Sequence, residues 1–145
     1  MIRKGGFTLV EIMVVVVLLG ILAAIVVPQF TGASNETRNS ALSTDLRRVR
    51  SQIEYYKIQH KDQLPATTGE TADEFLRRIT TKTDADGNVG NDFGPYMQDF
   101  PVNPFNDRST VRIDGGAAGS NTDGWRFDTT TGAFQADDTA AHAAL

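Results

Sequence analysis

The chain has 145 residues and no cysteine, which excludes disulfides, thiol catalysis and cysteine-ligated metals within it and favours one compact domain plus an accessory segment. Its net charge of −4 is uneven: there are eight basic and four acidic residues up to Lys61, but six basic and fourteen acidic residues from Asp62 onward. The acidic part argues against nucleic-acid binding, which needs clustered Lys and Arg. The acidic excess is compatible with solubility, with cation binding or with charge matching between subunits.

A long apolar run begins near the N-terminus. Residues 7–27 are interrupted only by Thr8, Glu11 and Gly20. As a helix, 21 residues reach about 31 Å, close to the hydrocarbon thickness of a bilayer. The run therefore predicts a transmembrane helix, although its valines alone would favour a strand.

The residues before this run identify what kind of segment it is. Arg3 and Lys4 predict a cytoplasmic N-terminal end. A secretory signal peptide is the first alternative, but the run is long for a signal core and the small pair Gly5-Gly6 precedes it instead of following it. A simple single-pass anchor explains the length, yet neither the glycines nor Glu11.

Glu11 is the most informative residue. A carboxylate inside a membrane segment costs about 3 kcal/mol on insertion scales. No Lys or Arg follows Glu11 within the run, so no cation on its own helix offsets this cost. Cleavage after Gly6 would create an amine on Phe7, about one helical turn away, which could pair with Glu11 of the same chain or of a neighbour and fix the register between helices.

The segment Gly6-Phe7-Thr8-Leu9-Val10-Glu11, with its short basic leader, resembles the class III signal of type IV pilins and type II secretion pseudopilins. The resemblance implies that a membrane-embedded prepilin peptidase cuts between Gly6 and Phe7 and methylates the new Phe7 amine. It implies that Gly6 is the residue the peptidase requires and that Glu11 docks an incoming subunit onto a growing filament. Methylated Phe7 is then the second assembly residue.

The resemblance also implies partners and a location. The partners are other copies of the chain and minor pilins in a helical filament, the prepilin peptidase, the inner-membrane assembly platform and lipid, with no nucleic acid. The protein is expected in the bacterial inner membrane as a single-pass subunit, with leader cytoplasmic and head periplasmic, before extraction into a periplasm-spanning or extracellular filament.

The predicted function is that of a structural subunit of a type II secretion pseudopilus. A type IV pilin for adhesion, motility or DNA uptake is the alternative, and a membrane-anchored binding protein or enzyme is a more remote one. The short head, the missing cysteines and the predicted hairpin favour the pseudopilin.

Two residues are expected to weaken the long helix. Pro28 removes a helical hydrogen bond and Gly20 adds conformational freedom. The stretch between them is expected either to bend or melt when helices pack in a filament, or simply to kink at the membrane exit.

The expected fold class is α+β, with a long N-terminal helix packed on a small C-terminal antiparallel sheet, similar to pilins. The segments are a leader (1–6), a transmembrane half-helix (7–27), an amphipathic half-helix (28–63), a globular head (64–136) and a mobile tail (137–145). The amphipathic half is predicted from one apolar stripe at helical spacing, formed by Leu42, Leu46, Val49, Ile53 and Tyr56.

Within the head, Thr71 and Glu74 have the spacing of a capping box and predict a short helix over 72–80. Strands are predicted at 110–113, 125–127 and 133–135, the last two as a hairpin. Trp125, Phe127 and Phe134 are expected to pack on the long helix. Asn103-Pro104-Phe105 and this hairpin are similar to the major pseudopilins of type II secretion.

No cofactor is required by the sequence, but members of that subgroup hold a calcium ion in a C-terminal loop. Candidate oxygen ligands for calcium in the last third are Asp114, Asp123, Asp128, Asp137 and Asp138. They do not align residue by residue with the ligands of the family, so the calcium site is an expectation from the resemblance alone.

The sequence predicts that the protein is not an enzyme. It contains no nucleophile elbow, HExxH or P-loop, and catalytic residues are expected to be none. His60 and His142 are its only histidines. His60, at the predicted end of the long helix, is expected to be a surface residue and not a base.

Overall fold

The computed structural model describes residues 6 and 8–145, except for the side chains of residues 27–33. In chain order the elements are α1 (Leu9–Gln59), α2 (Ala72–Thr80), β1 (Val111–Ile113), β2 (Trp125–Phe127), β3 (Phe134–Ala136) and α3 (Ala140–Ala143). The chain divides into two compact units, Met1–Thr37 and Arg38–Leu145. Helix α1 contributes to both units, so the boundary falls inside the helix.

The first unit presents apolar side chains to its surroundings. Leu9–Val26 forms the one helical segment of the described chain that is long and apolar enough to cross a membrane. Its large apolar side chains are exposed along the whole segment. A surface of this kind is stable in lipid or against other apolar helices, but not in water. The described part of this unit therefore fits the predicted membrane helix.

The second unit has a core built on the predicted apolar stripe of α1. Leu42, Leu46, Val49, Ile53 and Tyr56 are all at most 1% exposed. Their spacings of four and three residues place them on one side of the helix, which is the side a core must cover. The helix ends at Gln59, four residues before the predicted end of the amphipathic half-helix at residue 63, and the chain then turns.

Helix α2 lies where the sequence predicts it. Of the two hydrogen bonds that a capping box contains, only one is present at its N-terminus. The Thr71 hydroxyl accepts a hydrogen bond from the Glu74 amide at 3.4 Å. The Glu74 carboxylate, however, binds Arg77 at 2.8 Å and does not return to Thr71. A neighbouring guanidinium is the stronger partner for a carboxylate than a backbone amide.

The sheet corrects the predicted antiparallel arrangement. Its order is β1-β2-β3, with β1 parallel to β2 and β2 antiparallel to β3. The hairpin is confirmed, with Phe127 opposite Phe134, and β3 begins one residue later than predicted. Parallel strands need a crossover connection, and the loop over 114–124 supplies it. Alternation of side chains predicts a strand but not its direction.

Buried aromatic residues join the sheet to the rest of the core. Trp125, Phe127 and Phe134 are at most 1% exposed and belong to the same cluster as the α1 stripe. Phe75 of α2 lies 4.7 Å from Phe127 between ring centroids. The hairpin aromatics, which were expected to pack on the long helix, thus share one buried core with its apolar stripe.

The last segment differs from the expected mobile tail. Asp137 is fully buried and Asp138 is 6% exposed, and α3 follows them. Arg50 of α1 donates to the carbonyl oxygen of Leu145 at 3.0 Å. The polar residues Asp137 and Asp138 suggest a solvated tail in the sequence. They are buried in the structure because groups elsewhere in the head donate hydrogen bonds to them.

Candidate functional site

The predicted processing site lies at the start of the described chain. Gly6 is exposed, precedes α1, and has no atom within 4 Å of the position a Cβ would take. Phe7 lies outside the described residues. Exposure of Gly6 is what access by a peptidase requires, while the cleavage itself stays a prediction.

Glu11 has a neutral partner that the sequence reasoning missed. The Thr8 amide and hydroxyl donate to Glu11 Oε2 at 3.1 and 3.2 Å, and the Glu11 amide donates to the Thr8 hydroxyl at 3.2 Å. This reciprocal exchange is a capping box at the first turn of α1. The Thr-x-x-Glu spacing was readable in the sequence, since the same rule identified Thr71 and Glu74.

The capping box lowers the cost of placing the Glu11 carboxylate in an apolar region, but only in part. Within the described residues, the hydrogen bonds to this carboxylate all end on Oε2. Hydrogen bonds lower the cost of placing a carboxylate in an apolar region, but they do not neutralise its charge. Oε1 therefore faces its surroundings without a partner from the described part of the chain.

The two proposed weak points lie within α1. Helix α1 continues through positions 20 and 28, and a Cβ at Gly20 would meet nothing within 4 Å. The side chain of Pro28 lies outside the description. A bend at either residue stays a prediction.

Four of the five candidate calcium ligands have carboxylates held by different partners, while Asp123 contributes its backbone amide to the Asp137 carboxylate. Asp114 accepts from the Thr129 amide and hydroxyl, both at 2.7 Å. Asp128 binds Arg126 at 2.9 Å, and Asp138 binds Asn103 at 2.9 Å and also His142. Among the residues that the structure describes, no three His, Asp or Glu side chains converge as a metal site would require.

Asp137 is the centre of a polar network in the head. Its Oδ1 accepts from Arg112 at 2.7 Å and from the Gly119 amide at 2.9 Å. Its Oδ2 accepts from the Thr122 hydroxyl at 3.0 Å and the Asp123 amide at 3.2 Å. Arg112 was not singled out from the sequence, because it precedes its partner by 25 residues and no local pattern relates the two.

These bonds determine the charge state of the carboxylates. Burial alone would raise the pKa of Asp137, but the hydrogen bonds from Arg112, Asp123, Thr122 and Gly119 outweigh it and hold that pKa far below its usual range. Backbone hydrogen bonding from Thr131, with the Arg126 side chain, lowers the pKa of Asp128 to about 2. Both groups are therefore charged at neutral pH.

The two histidines make structural contacts. His60 is fully buried, contrary to the expected surface position, and its ring stacks on Tyr56 with 3.7 Å between centroids. Its Nε2 lies 3.0 Å from the Thr83 hydroxyl. The His142 ring packs on Phe105 at 4.2 Å and contacts Asp138. Each ring is thus engaged by packing and hydrogen bonding that stabilise the head.

Comparison with known proteins places these features in context. The family described as prokaryotic N-terminal methylation motif matches residues 1–27. The chain is 33% identical over 103 residues to the type II secretion system core protein G of Pseudomonas aeruginosa, covering 71% of this chain and 69% of the relative. It is 31% identical to the protein of the same name from Klebsiella pneumoniae, covering 71% and 70% of the two chains.

A shorter alignment is more similar. The Dickeya chrysanthemi protein of that name is 41% identical over 79 residues, which cover 54% of this chain and 50% of the relative. No solved structure matches the chain.

Proposed function

The chain belongs to the family of the type II secretion system core protein G, the major pseudopilin, and from this premise we propose that it enters a pseudopilus through α1 after residues 1–6 are removed. The observation that carries the proposal is the pairing of an exposed apolar helix with one carboxylate near its start. Leu9–Val26 is apolar throughout apart from Glu11 and Gly20. Such a helix is suited to lipid first and to a bundle of like helices afterwards.

The proposed chemistry begins at the Gly6–Phe7 bond. A prepilin peptidase hydrolyses this bond, and the amine released on Phe7 is then methylated. A methylated secondary amine keeps its positive charge at neutral pH, so it remains a partner for a carboxylate. The product is a subunit with a cation at its N-terminus and an anion one helical turn later.

Glu11 then selects the position of the incoming subunit. Thr8 holds Oε2 of the carboxylate, which fixes its orientation at the first turn of α1. Oε1 remains for the Phe7 amine of a neighbouring copy. In an apolar environment an unpaired carboxylate or amine is strongly unfavourable. Registers that leave Glu11 or the Phe7 amine unpaired are therefore disfavoured, and this sets the axial position of the subunit.

The proposed location and partners follow from this pathway. The leader is cytoplasmic, the head is periplasmic, and an inner-membrane platform extracts the subunit into a filament containing other copies and minor pilins. The protein acts as a structural element without catalysis of its own. In this role the head has to stay folded while α1 leaves the membrane.

Mass spectrometry of the protein extracted from membranes tests the proposal. We expect a chain beginning at Phe7 with one methyl group on its amine. Gly6→Val should retain the leader, because a branched side chain replaces the residue at the cleaved bond, whereas Gly5→Ala should be processed normally. A wild-type chain that still begins at Met1, or one cleaved after residue 27, would contradict the proposal.

A further inference from the structure

The loop between β1 and β2 encloses a guanidinium group in oxygen atoms. Arg112 Nη1 donates to the carbonyl oxygens of Asp114 and Gly116 at 3.1 and 2.9 Å. Its Nη2 donates to the Ala117 carbonyl at 3.1 Å and the Ser120 hydroxyl at 3.3 Å. The Asp137 carboxylate, at 2.7 Å, completes the set. Three carbonyls, a hydroxyl and a carboxylate therefore converge on one cation.

This donor set has the chemistry of a site for a hard cation. Calcium takes about six to eight oxygen ligands, mainly carboxylate, carbonyl and water oxygens, in flexible geometry. Here the loop supplies oxygen atoms of these kinds, but the cation that they bind is the guanidinium of Arg112 in strand β1. The Asp137 carboxylate also accepts the amides of Gly119, Ser120 and Asp123, which ties the far side of the loop to the same buried anion.

The expected calcium ligands do not fit a dissociable ion at this loop. Of the five aspartates, Asp137 alone directs its carboxylate at the enclosed cation. Asp114 contributes only its carbonyl, because its carboxylate is bound by Thr129. Asp137 Oδ1 and the loop carbonyl oxygens are already bonded to Arg112, so calcium at this loop would have to displace the guanidinium.

We infer that residues 114–123 form a cation cage whose resident cation is the Arg112 guanidinium, and that this built-in cation orders the head in place of a dissociable calcium ion. The planar fork of Arg suits the role, since its nitrogens reach several oxygens at fixed angles. A tethered cation cannot be lost to a chelator. The head is therefore calcium-independent as long as Arg112 is present.

Thermal unfolding of the full chain in detergent micelles tests the inference. Trp125 is the only tryptophan and is fully buried, so its fluorescence reports on the head. Wild type is compared with Arg112→Ala and Arg112→Lys, each in calcium and in chelator. Arg126→Ala is the matched control, because Arg126 also pairs with an aspartate, Asp128, but lies outside the cage.

Wild type should melt at the same temperature in calcium and in chelator. Arg112→Ala should lower Tm by about 10 °C or more, because it leaves the buried Asp137 charge without its cation. Part of this loss should be recovered in calcium, which can enter the vacated cage. Arg126→Ala should gain nothing from calcium.

The contrary results are equally defined. A wild-type Tm that rises with calcium and falls with chelator would overturn the inference, as would an Arg112→Ala chain that melts like wild type. Failure of calcium to stabilise a folded Arg112→Ala chain would contradict the cage. If Arg112→Ala does not fold, Arg112→Lys decides: a Tm at or below that of wild type that does not respond to calcium supports the inference, and a Tm that rises in calcium contradicts it.

Discussion

Thr8 and Glu11 exchange hydrogen bonds across the first turn of α1: the Thr8 amide lies 3.1 Å from Glu11 Oε2, and the Glu11 amide lies 3.2 Å from the Thr8 hydroxyl. The proposed docking carboxylate is therefore held by its own chain before any neighbour arrives. A carboxylate with a fixed orientation loses less conformational freedom when it meets an amine. Thr8 is therefore expected to contribute to assembly by orienting the Glu11 carboxylate.

Substitution of Thr8 should weaken assembly without abolishing it. Thr8→Val keeps the shape of the side chain but removes the hydroxyl, and loss of an N-cap costs about 1 kcal/mol. We expect fewer filaments in sheared fractions, while membrane insertion remains normal. Thr8→Ser, which keeps the hydroxyl, should assemble like wild type, and equal assembly of the Val and Ser variants would show that the cap is not used.

The head should lose stability in acid. Hydrogen bonds from Arg78 lower the pKa of Glu70 to about 2, and the pKa of Asp128 is also about 2, whereas unfolded carboxyls titrate near pH 4. Between these values the unfolded chain binds more protons than the folded one, so stability falls as the pH falls. The stabilisation is complete above about pH 5 and declines toward about pH 2.

Thermal unfolding at a series of pH values measures this effect. Glu70→Gln should melt at a lower temperature than wild type at neutral pH, and its Tm should depend less on pH over the acid range. A wild-type Tm that does not change between about pH 5 and about pH 2 would contradict the assignment of these carboxylates as charged and bonded in the folded state.

Removal of a core ring should destabilise the head selectively. Phe75 is fully buried and its ring lies 4.7 Å from that of Phe127. Phe75→Ala should cost about 3–5 kcal/mol of unfolding free energy, since it removes apolar contacts and leaves a cavity. Ile58→Ala is the matched control, because Ile58 is 79% exposed, and it should change stability by no more than about 0.5 kcal/mol.

Urea unfolding followed by Trp125 fluorescence gives both free energies. Because the processing site lies in the first unit, Phe75→Ala protein that escapes proteolysis should still be cleaved after Gly6. Equal urea midpoints for Phe75→Ala and Ile58→Ala would contradict the assignment of Phe75 to the buried core of the head.

The sequence predicted the features that depend on local spacing. The stripe from Leu42 to Tyr56 follows directly from helical periodicity, and α2 follows from its N-cap. The residues of the stripe are buried as expected. Local patterns suffice here because neighbouring turns of a single helix determine which side chains share a face.

Features that depend on distant partners were not predictable in the same way. The parallel pairing of β1 with β2 follows from a crossover loop, and the buried position of Asp137 depends on Arg112 and on the loop amides. Taken alone, an Asp-Asp pair in a polar segment indicates a solvated tail. The Thr8 cap is a different case, because the spacing of Thr8 and Glu11 is local and by itself predicts a capping box.

The most direct test of the central claim is filament assembly by Glu11→Val, scored by electron microscopy together with the mass of the membrane-bound subunit. The account predicts a variant that inserts, begins at a methylated Phe7, and forms no filaments, because the amine of an incoming copy finds no carboxylate. Filaments of normal number and length from this processed variant would contradict the account.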